Sequence, residues 1–351
     1  MDLRQLGAAI PSLDETSMAS ARRRQDNLTK PAGSLGRLEE LSIRLAGMTG
    51  NPCPSVARKA IIVMAGDHGV ARQGVSAYPP EVTPQMVMNF LAGGAAINVL
   101  ARQAGARVAI VDVGVAADLG DAPGLVKRKV ALGTADLTKG PAMTEAQAAQ
   151  AIQVGLEVLQ AEHEAGLDLV ATGDMGIGNT TPSSAIIAAL TGLPAAQVTG
   201  RGTGVDDGGL SRKVAAVETA LAVNRPDRRD AFDVLQKVGG FEIAGLAGVI
   251  IGAASRRVPV VIDGFISGAA AVIAAGLAPK VKPYLIASHR SVEIGHGAML
   301  DLLGLRPILD LNLQLGEGTG AAIAFHVVEA ASRILNEMAT FAEAGVSEKE
   351  A

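Results

Sequence analysis

The sequence predicts an α/β fold, a mostly parallel sheet flanked by helices, with a smaller helical domain built from both chain ends. Three observations predict it: short β-branched runs recur through the middle of the chain, each closes in a polar or glycine-rich turn, and an alanine-rich helical stretch follows each. The runs are 60–64, 107–113, 167–172, 258–262 and 283–287. They are continuously apolar rather than alternating, the pattern of strands buried on both faces of a parallel sheet. Parallel strands need crossover helices, and in such open, Rossmann-like sheets ligands bind beyond the carboxyl ends of the strands. The residues directly after each run are therefore the ones to inspect for function. Before the first run, 34–48 is expected to form an amphipathic helix with Leu38, Leu41 and Leu45 on one face. After the last, 320–344 is expected to form a long terminal helix. The two ends are expected to pack together, so that 1–54 with 311–351 make the small domain and 55–310 the large one.

Composition narrows the function. The chain has 351 residues, enough for one large domain or two around an ample core. Aromatic residues make up 2% and the formal net charge is -4, so there is neither a stacking platform nor a basic stripe for nucleic acid. Small molecules are the expected ligands. A mean hydropathy of +0.30 raises the question of a membrane, but the longest apolar stretches, 244–255 and 258–279, are cut by charge, by Asp263 or by glycines and are expected to be buried. Cys53, between Pro52 and Pro54, is the single cysteine; it supports neither a disulfide framework nor a zinc site and fits a reducing cytoplasm. Residues 1–20 lack the apolar core of a signal peptide. The Arg22-Arg23-Arg24 cluster is expected to be a solvated helix end.

Several turns carry chemistry. In 313–325, Leu-Gln-Leu-Gly-Glu-Gly-Thr-Gly-Ala-Ala-Ile-Ala-Phe, Glu317 is wedged between glycines at the expected start of an apolar helix. Partial desolvation there raises a carboxylate's pKa and suits it to general-base work, while a charge favouring the helix N-terminus is the structural alternative. The run 167–172 leads into Gly173-Asp-Met-Gly-Ile-Gly-Asn-Thr-Thr-Pro182 and a helix. Thr180 or Thr181 is expected to cap that helix, with Pro182 in its first turn and glycine amides free for a phosphate; an ordinary capped turn is the alternative. A second glycine-rich stretch, 199–209, precedes Arg212 and Lys213, and Lys213, expected in a first helical turn, can complete a phosphate clamp or simply face solvent. Asp263 ends the run 258–262, where an acid either bonds sugar hydroxyls or caps a helix. His68 and His289 follow the first and last runs, but the five histidines show no ligand spacing, so hydrogen-bonding roles are expected and no metal. Ser288 and Ser291 can reach a ribose or phosphate, or meet water.

Five motifs occur in one order: Lys30-Pro-Ala-Gly-Ser-Leu-Gly-Arg-Leu-Glu39, Ala65-Gly-Asp-His-Gly-Val70, Gly176-Ile-Gly-Asn-Thr-Thr181, Gly200-Arg-Gly-Thr-Gly204 and Leu315-Gly-Glu-Gly318. Together they resemble the nicotinate-nucleotide:dimethylbenzimidazole phosphoribosyltransferases over nearly the whole chain. The resemblance implies transfer of phosphoribose from nicotinate mononucleotide to 5,6-dimethylbenzimidazole, without a cofactor, by a homodimer. It implies that Glu317 is the base, that Gly176, Ile177, Gly178, Asn179, Thr180, Gly202, Lys213 and Ser291 hold the nucleotide, with Asp263 nearby, and that Tyr78, Pro79, Pro80, Gln85, Met88, Met175 and Leu315 form the base pocket. Asp174 stands where the family usually has Glu and is expected to be a supporting acid. The Ala77-Tyr-Pro-Pro80 segment also departs from the family pattern, which bears on base selectivity.

Two other readings fit parts of the sequence. Gly316-Glu-Gly-Thr-Gly-Ala321, with Glu337 some way beyond, loosely matches a dinucleotide fingerprint, but no second strand follows it. A silent nucleotide- or riboside-binding module would keep the phosphate turn, yet it has no use for Glu317.

Overall fold

The computed structural model describes residues 7–347. Parts of two expectations, the absent signal peptide at 1–20 and the small domain at 1–54 with 311–351, lie outside the described residues. Six parallel strands form one sheet: β1 (Lys59–Gly66), β2 (Ala106–Gly114), β3 (Leu125–Lys127), β4 (Leu169–Met175), β5 (Val260–Ile262) and β6 (Leu285–Ala287). Their order is β3-β2-β1-β4-β5-β6, so the chain reverses its direction of winding between β1 and β4. That switch point opens a crevice at the carboxyl edge of the sheet, where α/β proteins place their ligands.

Each expected strand is present, with shifted ends. β4 runs on to Met175 because Met64 and Ala65 of β1 still pair with Asp174 and Met175, which puts Asp174 on the strand rather than in the turn. Residues 283–284 belong to a 3-10 turn, Pro279–Tyr284, and only Leu285–Ala287 pair with β5. β3 was not expected: three residues carry no periodicity, and the segment is a strand only because it pairs with Ile110–Asp112.

The pleat sends alternate β1 side chains to opposite helical layers. A β-carbon built on Gly245 would lie 3.1 Å from Met64 Sδ, and one on Gly318 would lie 2.8 Å from Ile61 Cγ2. The Phe241–Ser255 helix therefore covers one face and the start of the Thr319–Glu337 helix the other. Phe241–Ser255 is almost wholly buried, and its neighbour Glu145–Glu164 approaches so closely that a β-carbon on Gly155 would overlap Gly245 O. Glycine there lets two helices exclude water backbone to backbone.

The expected 34–48 helix is observed as Arg37–Thr49 and buries Leu41 and Leu45. It packs on Glu15–Asn27 and on Thr319–Glu337, so the two chain ends do meet. The terminal helix is shorter than expected. It stops at Glu337, Thr340 pairs with Leu28, and a Thr340/Glu343 capping box starts a separate turn, Phe341–Ala344. Arg24 is not solvated as expected: its guanidinium donates to the carbonyls of Leu335 (2.6 Å) and Met338 (3.1 Å), closing the end of that helix.

Candidate active site

The cleft at the switch point is walled by Asp174–Ile177, Asn179, Thr180, Gly202, Ser291, Glu293 and Leu315, among others. Its floor is the turn after β4. Gly176 is obligatory there, since a β-carbon would come 2.2 Å from Gly66 O, and Gly178 has φ +90. The helix after the turn is Thr180–Thr191, and Asn179 is its N-cap residue, in place of the expected threonine. Asn179 does not cap with its side chain; its Nδ2 donates to Asp174 Oδ2 at 3.0 Å. Not all the turn's amides are free, for Ile177 N donates to Thr83 Oγ1 (3.1 Å) and Asn179 N to Gly176 O (3.1 Å). Among the described residues, the amides of Gly178 and Thr180 have no acceptor.

Lys213 reaches this turn. Its helix is Asp207–Asn224, started by the Asp206 side chain on Gly209 N, so Lys213 lies in the second turn rather than the first. The side chain is 1% exposed, Nζ donates to Thr180 Oγ1 at 2.8 Å, and no ion pair is made among the described residues. Burial lowers its pKa to about 8, opposed by the charge of Glu293. Gly202, at φ +56, brings its backbone against this ammonium, a β-carbon there standing 2.8 Å from Nζ. A buried cation with one hydroxyl partner, two open amides and a helix N-terminus together have the chemistry to take an anion.

Glu317 holds φ +62 between Gly316 (+84) and Gly318 (+95), a left-handed run ahead of the helix. For a non-glycine residue that conformation costs on the order of 1 kcal/mol or more. The helix's own N-terminus is capped from elsewhere. Asp263, at the end of β5, accepts from Ala321 N (2.9 Å) through Oδ1 and from Gly318 N (3.2 Å) through Oδ2. Of its two sequence readings, the helix cap is built, across the sheet rather than on the helix that follows it. Burial raises Asp263 to about 7 against those amides. Glu317 instead turns to another helix: Oε2 accepts from Ile97 N at 3.2 Å, in the first turn of Ala96–Ala104. Among the described residues its Oε1 has no hydrogen-bond partner. Burial outweighs the Ile97 amide and raises its pKa. The cleft wall itself is formed by Leu315 and Gly316, directly before it.

Asp174 is held well above the usual carboxylate range by burial and by the charges of Asp263 and Glu242, against the Asn179 hydrogen bond. Behind it lies a sealed pair, His68 Nε2 to Glu242 Oε1 at 2.7 Å, with neither side chain exposed. Burial pulls the His68 pKa down, but Glu242 outweighs it and raises it. His289 and His296 are pushed the other way by burial, to about 4 and about 3, and stay neutral. His296 Nδ1 accepts from Ser291 N at 3.0 Å and so orients the serine that lines the cleft.

The structure brings together Asp174, Met175, Gly176, Ile177, Asn179, Thr180, Gly202, Ser291 and Leu315 on the cleft wall, with Gly178 and Lys213 against it. Five expected base-pocket residues are not brought there within one chain. Tyr78, Pro79 and Pro80 are exposed in the loop before the Val82–Ala92 helix; that helix buries Thr83, Val87 and Phe90, so Gln85 and Met88 face solvent. Sequence reading passed over Glu293 and His296. The signal for Glu293 was present, an acid in the turn after a strand, the same rule that singled out Asp263.

A family described as "Phosphoribosyltransferase" matches residues 10–346. A nicotinate-nucleotide–dimethylbenzimidazole phosphoribosyltransferase of Chloroflexus aggregans is 64% identical over 97% of this chain and 96% of its own. One from Desulforudis audaxviator is 58% identical over 99% and 98%. The crystal structure of CobT from Thermus thermophilus superposes with a TM-score of 0.92 at 50% identity, covering 95% of this chain and 100% of that one. With identity and fold shared over nearly the full length of each protein, the chain belongs to this phosphoribosyltransferase family.

Proposed function

We propose that the protein moves phosphoribose from nicotinate mononucleotide to 5,6-dimethylbenzimidazole, giving α-ribazole 5'-phosphate and nicotinate for a cobalamin lower ligand. The observation that carries this reading is Glu317: a strained, buried carboxylate with one oxygen anchored and one free, on the same sheet edge as the anion site. Lys213, Thr180 and the amides of Gly178 and Thr180 hold the 5'-phosphate, with Gly202 and Ser291 beside it. The leaving nicotinate is a quaternary pyridinium and departs as a neutral ring nitrogen, so it needs no general acid. The incoming base must lose its N–H proton. As its free nitrogen attacks C1', Glu317 Oε1 takes that proton, and the electrons of the breaking C1'–N bond stay on nicotinate. Attack from the opposite face converts β to α in a single displacement. Asp174, its carboxyl raised well above the usual range by burial, is the supporting acid beside the ribose.

Met175 and Leu315 supply the apolar wall for the flat base. We further infer a homodimer, in which a second copy covers Tyr78, Pro79, Pro80, Gln85 and Met88, a large unit at 55–310, a small one from the two ends, and a cytoplasmic setting. Among the described residues no helix is long and apolar enough to cross a membrane.

Purified protein incubated with the two substrates is expected to release nicotinate and the α-riboside phosphate in equal amounts, resolved by chromatography with mass detection. Nucleotide binding without product would favour the silent binding module. Glu317→Gln keeps an oxygen for Ile97 N and should retain nucleotide affinity while turnover falls by roughly 10²–10⁴. Unchanged turnover in that variant would remove Glu317 from the mechanism.

A further inference from the structure

Glu293 stands where a phosphate site has least use for a carboxylate. It is 6% exposed and shares the cleft wall with Thr180 and Gly202. The Gly202 amide faces it, and Gly202 is the residue whose backbone abuts Lys213 Nζ. Glu293 Oε2 is buried with no hydrogen-bond partner among the described residues, pressed against Gly200. Glu293 and Lys213 feel each other's charge without forming an ion pair. A phosphate bound at Lys213 and Thr180 would therefore bring up to two negative charges beside a third, with one ammonium to balance them. Like charges sharing a buried site do not all ionise; one proton is retained between them.

We propose that Glu293 makes phosphate binding proton-coupled: the bound phosphate and the Glu293 carboxyl share one proton, taken from solvent when the nucleotide enters and returned when the product leaves. The inference rests on the phosphate site assigned above. The other charged groups around Glu293 do not supply that proton. Lys213, from the Asp207–Asn224 helix, is already charged at neutral pH. Asp174, across the cleft on β4, has its carboxyl raised well above the usual range by burial and by the charges of Asp263 and Glu242, and it is present in both the wild type and the Glu293 variant compared below. His289 and His296, on Glu293's own segment, are neutral. Arg201, from the 200–204 loop, is paired with Asp207, and the Phe265–Leu277 helix presents only Phe265 and Ile266. Burial, opposed by Lys213 and the Gly202 amide, already holds the Glu293 carboxyl above its ordinary value.

The test is calorimetric titration of nicotinate mononucleotide at pH 7 in buffers of different ionisation enthalpy, for the wild type and Glu293→Gln. Gln carries a permanent N–H donor of the same shape. The wild type should take up close to one proton per nucleotide at pH 7 and Glu293→Gln close to none, and the variant's affinity should vary less with pH between 6 and 8, keeping only the titrations of the phosphate itself and of Lys213. Equal uptake in the two proteins, or none in the wild type, would overturn the role of Glu293 while leaving the phosphate site standing. Failure of the wild type to bind the nucleotide at all would overturn both. A variant with lowered affinity and unaltered proton uptake would show that Glu293 only holds the loop.

Discussion

Lys213 carries a full charge into a place where one hydroxyl answers it. A buried, unpaired cation destabilises a fold, and replacing such a group by an apolar one of similar volume is commonly neutral or stabilising. Lys213→Met should therefore leave Tm equal to or above that of the wild type, while KM for the nucleotide rises. A charged hydrogen bond is worth about 1.5–3 kcal/mol, so the rise is roughly 10- to 150-fold. The opposite pattern, a lower Tm with KM unmoved, would make Lys213 a structural residue. Glu317 shows how far sequence reaches at this scale. Glycines on both sides flagged it, but its left-handed backbone and its hydrogen bond to Ile97 N come from chain brought in 220 residues away and leave no local mark.

Elements were legible where burial writes a continuous pattern. β1, β2 and β4 follow apolar runs closely because both their faces are covered. Boundaries were less so, because they depend on partners. Asp206 starts the Lys213 helix a turn earlier than the glycines suggest, and the capping box at Thr340 interrupts a run whose periodicity reads through it. The cap on Thr319–Glu337 is purely tertiary, Asp263 from β5 holding amides 55 and 58 residues away. Asp263→Asn turns an N–H toward one of those amides, and should cost about 1–3 kcal/mol where the wild-type group is an acceptor. The pH dependence has a definite sign. Asp263 has a folded pKa of about 7, above its unfolded value, so its contribution is fully present below the unfolded pKa and is lost as pH rises through 7. The stability gap between wild type and Asp263→Asn, taken from urea midpoints, should thus be widest near pH 4.5 and narrow toward pH 7.5. A gap that widens with pH would mean that the amides outweigh burial.

For the whole molecule, the switch point of the sheet decides where chemistry can be placed, and the surface decides what one chain lacks. The wall of the cleft includes Leu315, which is 57% exposed, and Tyr78 and Met88, at 53% and 48%, stand in solvent although the family resemblance assigns them to the base pocket. Val292 and Ile294 are also exposed, and Val292 N donates to Leu313 O, so two apolar segments meet at the mouth. Leu315, Val292 and Ile294 thus expose large apolar side chains together at the mouth, which is unusual on a monomer and fits an interface between copies. No sequence periodicity announces this, because exposed apolar residues match the single-chain pattern of loops and helix ends. Sedimentation of the wild type is therefore expected to give twice the chain mass. Met88→Glu puts a charge on the solvent face of the Val82–Ala92 helix, opposite Thr83, Val87 and Phe90, so the fold keeps its buried contacts while an apolar interface does not. It should shift the population toward single chains and raise KM for the base more than KM for the nucleotide, since Lys213 and Thr180 are contributed within one chain. A wild type that sediments as a monomer with full activity would show that the exposed residues serve no second copy, and the base pocket would then have to close from Met175 and Leu315 alone.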